Sequence, residues 1–206
     1  MLLIRQFASM VGRRWIRNGM ISSEYYACYV YGIELIVSEI IGISIILFLG
    51  AVTGTYSNAF VFLLVFILVR QYTGGFHADS YLSCNIFFSI SYIVNMLIVA
   101  HIEVNLYVLT VLALIIGIGI ISIIGPVTHK NKRIDETLRN TNKVRSFILY
   151  IGCCLVSVGI AASQRSLALT IIIALLQIIM LMVVERIRKR GRNNEKVRGK
   201  IKGSCN

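Results

Sequence analysis

The chain has 206 residues, of which 57% are hydrophobic, and it contains a single proline. Soluble domains are typically about 45–50% apolar, so these apolar residues cannot all be buried inside a water-soluble globule. The net charge of +12 would suit a nucleic-acid binder, but the charges are confined to short segments between apolar runs, which fits anionic lipid better. The composition therefore predicts an all-α, polytopic membrane protein with no nucleic-acid partner.

The N-terminal segment, 1–31, combines a regular apolar stripe with basic residues that fall largely away from it. The stripe consists of Leu3, Phe7, Met10, Val11 and Trp15, and the basic residues are Arg5, Arg13 and Arg17. This pattern predicts an amphipathic helix lying in the membrane interface. An ordinary helix packed on the rest of the protein is the alternative, and the two interpretations are compatible.

Six apolar runs follow, and a membrane span needs about 20 residues. They predict spans near 33–52, 57–69, 82–100, 104–124, 147–162 and 167–184. The second run is short and spans only if it includes the polar residues at its ends. A basic loop, 128–145, separates the fourth and fifth spans. Residues 1–184 are thus predicted to form one membrane domain, followed by a basic tail, 185–206, that is disordered or lipid-bound.

The distribution of positive charge predicts the topology. With six spans, all of the 21 Lys and Arg residues except Arg165 lie on the same side as the N-terminus. Because positive segments stay in the cytoplasm, both termini and the 70–84 hairpin are predicted to be cytoplasmic. The asymmetry also supports counting the short second run as a span.

The first span carries two carboxylates, Glu34 and Glu39. Glu34 lies near the end of the span and is expected to reach the interface. Glu39 is deeper, and since intramembrane carboxylates are costly, it is expected to face other helices. It is either a hydrogen-bonded structural residue or a functional one, for example in a transport pathway or a substrate site.

The stretch from Arg70 to Cys84, RQYTGGFHADSYLSC, is where the sequence concentrates chemistry. His77 and Cys84 would be roughly 10 Å apart along a continuous helix, so the chain must bend if the two act together. Gly74 and Gly75 permit such a bend. Cys84 is then expected in the first turn of the third span, where unpaired N–H groups and the helix dipole favour a thiolate. His77 would be its base.

Two further polar residues in this stretch have open roles. Arg70 either holds a substrate carboxylate or pairs with Asp79, and Asp79 either orients His77 or caps the next helix. A metal site of His77, Asp79 and Cys84 would lack an evident fourth ligand, so neither a metal nor a cofactor is predicted. A structural cysteine and a structural histidine remain the plainer interpretation of the spacing alone.

Taken together, Arg70, Gly74 and Gly75, His77 and Cys84 resemble the signature of the AgrB family, the membrane peptidases of Gram-positive quorum sensing. The chain length, the amphipathic start, the basic loop and the basic tail are also similar. The resemblance implies a cysteine endopeptidase in a bacterial cell membrane that processes an AgrD-like propeptide. In that activity Cys84 attacks a peptide carbonyl, an acidic tail leaves, and an internal thiol or hydroxyl closes a thiolactone or lactone on the resulting thioester.

Carried over residue by residue, the resemblance makes Cys84 the nucleophile and His77 the base, with Arg70, Gly74 and Gly75 in support. It also implies a homodimer. An acidic tail would be attracted to the basic loop, whose members include Lys130, Lys132 and Arg133. The same loop is otherwise explained as a topology determinant.

Two rival functions remain open at this stage. A small transporter or channel would use Glu39 in its pathway, and a membrane scaffold would dock a partner through the basic tail. A peptidase depends on Cys84, whereas a transporter tolerates Cys84→Ser and fails on Glu39→Gln. A scaffold tolerates both changes and fails when the tail is removed.

Overall fold

The computed structural model describes the backbone of residues 2–73, 81–125 and 136–203. Within these ranges the chain is helical and has no strand. Its elements are α1 (Leu2–Arg17), a 3-10 turn (Ser23–Tyr25), α2 (Tyr26–Val52), α3 (Tyr56–Thr73), α4 (Tyr81–His101), α5 (Leu106–Ile124), α6 (Glu136–Ile160) and α7 (Arg165–Gly203). Six helices, α2 to α7, are long and apolar enough to cross a membrane. The predicted all-α fold with six membrane helices is confirmed, and the chain is a multi-pass membrane protein.

Two basic segments are more helical than the sequence suggested. The predicted loop 128–145 is helical from Glu136 onward, as the start of α6, and α7 continues through the tail to Gly203. The disordered alternative for the tail is therefore wrong, and the lipid-bound alternative stays a prediction. Lys, Arg, Glu and Leu have high helix propensity, and no proline follows Pro126. Nothing local therefore stops either helix at the edge of its apolar run.

The chain divides into two compact units. The first comprises Met1–Ala59 with Ala78–Ile93, and the second comprises Phe60–His77 with Val94–Asn206. Helices α3 and α4 each contribute to both units. The first unit therefore holds α1, α2 and the beginning of α4, and the second holds most of α3 and all of α5, α6 and α7.

In the first unit, α1 packs on the start of α2. Ala8 and Gly12 are buried, and the Trp15 ring meets the Tyr29 ring edge-on at a centroid distance of 6.2 Å. Phe7 and Met10 of the apolar stripe stay exposed. The packed-helix interpretation is thus correct, and the exposed apolar residues leave α1 suited to an interface as well.

In the second unit, α7 is the most buried membrane helix, and hydrogen bonds to backbone carbonyls tie its neighbours together. The Tyr150 hydroxyl of α6 donates to the Ala113 carbonyl of α5 at 2.9 Å. Ser157 donates to the Ala168 carbonyl of α7 at 3.0 Å. Because buried polar groups are costly without partners, these bonds fix how the helices face one another.

Candidate functional site

Cys84 is the fourth residue of α4, so it lies in the first turn of that helix. Its thiol is free and half-buried. Side chains on a helix lean toward the helix N-terminus, and the first N–H groups of a helix have no partner within it. The thiol therefore lies near backbone N–H donors and the positive end of the helix dipole.

A hydrogen bond joins the start of α4 to α2 one turn before the cysteine. The hydroxyl of Tyr81, the first residue of α4, donates to Oε2 of Glu34 at 3.0 Å, and the bond is partly buried. The sequence predicted that Glu34 reaches the interface but did not indicate this partner. The position of Tyr81, three residues before Cys84, is not a motif that predicts a hydrogen bond to another helix.

Two deeper contacts continue the same seam between α2 and α4. At the next level, a Cβ added to Gly42 would lie 3.0 Å from Oδ1 of Asn85 and 3.4 Å from the Phe88 ring. Farther on, the Tyr92 hydroxyl lies 2.8 Å from Oγ1 of Thr55, just after α2. The Glu34–Tyr81 bond is therefore one of three contacts that join α2 and the turn after it to α4.

Arg70 belongs to the second unit and lies in the last turn of α3. Its guanidinium lies 5.4 Å from the centre of the Phe66 ring, which is a cation–π contact. A cation near a helix C-terminus is favourable because it complements the helix dipole. Arg70 is thus held in a defined place at the end of the helix that leads into the motif.

A groove lies beside the beginning of α6, also in the second unit. It has a volume of about 720 Å³ and is lined by Thr137, Asn140, Thr141, Val144 and Arg145. The Arg145 guanidinium lies 5.7 Å from the centre of the Tyr72 ring, two residues after Arg70. Arg145 falls at the end of the predicted basic loop 128–145, and nothing in the sequence indicated its contact with α3.

Several predicted site residues lie outside the described residues. These are His77, Gly74, Gly75 and Asp79 in the hairpin, and Lys130, Lys132 and Arg133 in the basic segment. Their roles stay predictions. Within the described ranges, no group of three or more His, Cys, Asp or Glu residues is placed to hold a metal ion.

One expectation about the first span is wrong. Glu39 was expected to face other helices, but its side chain is exposed on α2. The residues that α2 buries are Ser38, Gly42, Ile46 and Gly50, and Glu39 is turned about 100° from Ser38 around the helix axis. Glu39 therefore points away from the packed face of its own unit.

The start of a helix does not by itself single out Cys84, because Cys28 is the third residue of α2 and is exposed. A 3-10 turn precedes α2, and the Tyr26 N–H bonds to the Ser23 carbonyl. The surrounding sequence motif distinguishes Cys84, and Cys28 provides a natural control.

Comparison with known proteins decides the family. A family model described as Accessory gene regulator B matches residues 5–183, a range that includes the whole 70–84 motif. The chain belongs to the AgrB family. The recognition made from Arg70, Gly74, Gly75, His77 and Cys84 is therefore confirmed.

Individual AgrB relatives match over a shorter range. Accessory gene regulator protein B of Staphylococcus epidermidis, and the same protein from its strain RP62A, are 29% identical over 101 residues, or 49% of this chain and 50% of theirs. The chain thus spans about half the length of the curated relatives it matches. No solved structure matches it.

Proposed function

We propose that this AgrB-family protein is a membrane cysteine endopeptidase that removes the C-terminal tail of an AgrD-like propeptide and allows the remaining peptide to cyclise. Membership of the family implies an accessory-gene-regulator role in quorum sensing. The observation that carries the enzymatic proposal is the free, half-buried Cys84 thiol in the first turn of α4.

The chemistry takes two acyl transfers. His77 removes the thiol proton, the Cys84 sulfur attacks the scissile carbonyl carbon, and N–H groups at the start of α4 stabilise the oxyanion. Collapse breaks the C–N bond, and the departing amine takes the proton from His77. A thiol or hydroxyl of the peptide then attacks the thioester, the S–C bond breaks, and the proton of that attacking group returns to Cys84.

A cysteine suits a cyclising enzyme because a thioester retains the free energy for a second acyl transfer. Forming a thioester from an amide is unfavourable, so loss of the released tail must draw the reaction forward. Hydrolysis would waste the intermediate. A half-buried thiol at a membrane edge limits the access of water.

The groove at the start of α6 is the proposed binding site for the acidic tail of the propeptide. Arg145 lines it, and Arg139 and Lys143 lie on the same helical segment. Lys143 Nζ donates to the Ser122 carbonyl at 2.9 Å, which holds its charge near the end of α5. Lys130, Lys132 and Arg133 are expected to add to this positive potential.

The described geometry gives no support to the transporter alternative. Its key residue, Glu39, is exposed on α2 and does not line a passage within the first unit. The partners other than the propeptide, namely anionic lipid and a second copy of the chain, stay predictions that follow from the basic segments and from the family.

Trapping the acyl-enzyme is the direct test of the peptidase. Protein in liposomes is mixed with an AgrD-like propeptide, quenched with acid and analysed by mass spectrometry. We expect a peptide adduct on Cys84 that hydroxylamine releases, and we expect no adduct with His77→Ala because the thiol then lacks its base. Propeptide that binds without ever giving an adduct or a cleaved tail would refute the proposal.

The topology gives a second prediction. In a background without native cysteines, Asn18→Cys and Ser163→Cys place thiols at two exposed positions on opposite predicted sides of the membrane. A membrane-impermeant maleimide added to intact cells should label Ser163→Cys but label Asn18→Cys only after the cells are opened. Labelling of Asn18→Cys in intact cells would contradict a cytoplasmic N-terminus and active site.

A further inference from the structure

We propose that the Glu34–Tyr81 hydrogen bond is a positioning device that fixes the first turn of α4 and thereby the direction of the Cys84 thiol. This inference rests on the proposed function, in which Cys84 is the nucleophile. It assigns Glu34 and Tyr81 a role in the rate of the reaction without contact with the substrate.

The geometry begins with spacing along α4. Tyr81 and Cys84 are three residues apart, so they lie on the same side of the helix, one turn from each other. Tyr81 is the first residue of the helix and Cys84 the fourth. Any rotation or unwinding of this turn moves the cysteine together with the tyrosine.

The first turn of a helix is also the part most prone to fray, because its N–H groups have no partners within the helix. The next contact along the α2–α4 seam is Asn85 beside Gly42, which lies beyond the cysteine. On the N-terminal side of Cys84, the Tyr81 hydroxyl of α4 donates to Glu34 of α2. Cys84 is therefore bracketed by two contacts, and Tyr81 makes the outer one.

The chemistry of the pair suits this task. A carboxylate oxygen accepts a hydrogen bond from a tyrosine hydroxyl, and here the two oxygens lie 3.0 Å apart. Glu34 is half-buried within the candidate span Ser23–Val52, where a carboxylate without a partner would be costly. Among the described residues, Tyr81 is the hydrogen-bond partner of Glu34. The cost of separating the two keeps the first turn of α4 against α2.

The orientation of a nucleophile affects the rate of the chemical step more than it affects the affinity for the substrate. A displacement of the reacting atom by about 1 Å can slow the chemical step a hundredfold. Loss of the bond should therefore lower kcat and leave KM nearly unchanged. We expect roughly a tenfold fall in kcat for Tyr81→Phe, which corresponds to about 1.4 kcal/mol of activation free energy.

The experiment compares four variants in liposomes with an AgrD-like propeptide: Tyr81→Phe, Glu34→Ala, the double variant, and Glu34→Gln. Both single losses should lower kcat alike, and the double variant should be no worse than either, since each removes the same bond. Glu34→Gln should recover much of the rate, because an amide oxygen still accepts from the tyrosine hydroxyl. Tyr107→Phe, at an exposed tyrosine in the first turn of α5, is the matched control.

A second readout does not depend on catalysis. The N–H groups of residues 85–88 bond back to the carbonyls of residues 81–84 in a regular helix, so their hydrogen exchange reports the first turn of α4. Exchange there should be faster in Tyr81→Phe and Glu34→Ala than in the wild type, and unchanged in Tyr107→Phe.

The two readouts separate the failure of this inference from the failure of the proposed function. If exchange responds as expected but even the wild type never processes the propeptide, the positioning role stands and the peptidase proposal fails. If the wild type is active and Tyr81→Phe leaves kcat and exchange unchanged, the inference is overturned. Additive effects in the double variant would also overturn the inference. So would a Glu34→Gln variant as slow as Glu34→Ala, because the charge of Glu34 and not its hydrogen bond would then determine the rate.

Discussion

Replacement of Cys84 by alanine is expected to abolish cleavage of an AgrD-like propeptide while the protein is still made and inserted. In the proposed mechanism alanine removes the sulfur that forms the thioester, and no other described cysteine lies within the 70–84 motif. Removing a catalytic nucleophile costs on the order of a thousandfold or more in rate. The measurement is the rate of release of the C-terminal tail from the propeptide in liposomes.

The matched control is Cys28→Ala, which removes an exposed thiol from the start of α2. This variant should cleave at the wild-type rate, because Cys28 lies outside the motif. Cys84→Ser should remain nearly inactive, since a hydroxyl is a far weaker nucleophile than a thiolate at neutral pH. A Cys84→Ser protein with full activity would exclude a thioester mechanism and favour a scaffold or a transporter.

The second large effect is expected on stability, from Gly117→Ala in α5. A Cβ at Gly117 would overlap the Tyr150 ring, and that ring is fully buried with its hydroxyl bonded to the Ala113 carbonyl. We expect the free energy of unfolding in detergent to fall by about 1–3 kcal/mol, the usual cost of overpacking.

Gly119→Ala is the control, because a Cβ at Gly119 meets nothing within 4 Å. It should be neutral or slightly stabilising, since alanine favours a helix more than glycine does. The double variant Gly117→Ala/Tyr150→Leu has a smaller side chain at the contact. Its loss of stability should therefore be less than the sum of the losses in the two single variants. Equal stability of the two glycine variants would show that α5 and α6 do not meet at Gly117.

The class of the protein and the position of its candidate nucleophile could be predicted from the sequence. Long apolar runs predict membrane helices because transfer of apolar residues into lipid depends on composition and not on neighbours. Cys84 follows a glycine pair and a polar turn, and α4 begins at Tyr81, so the helix start near the cysteine is a local property. Helices α6 and α7 extend beyond their predicted spans. The apolar runs predicted only the part of each helix that lies in lipid and not the residues at which the helix begins and ends.

The direction in which each side chain points was decided only by the tertiary structure. Glu39 was placed correctly on a membrane helix and wrongly on its packed face, because the face that α2 buries depends on the helices around it. The Glu34–Tyr81 bond joins residues that are distant in sequence, and the Gly117–Tyr150 contact joins two different helices. Hydropathy along one chain determines which segments enter the membrane. The rotation of each helix about its axis depends on how large and small side chains of separate helices fit together, and no single segment contains that information.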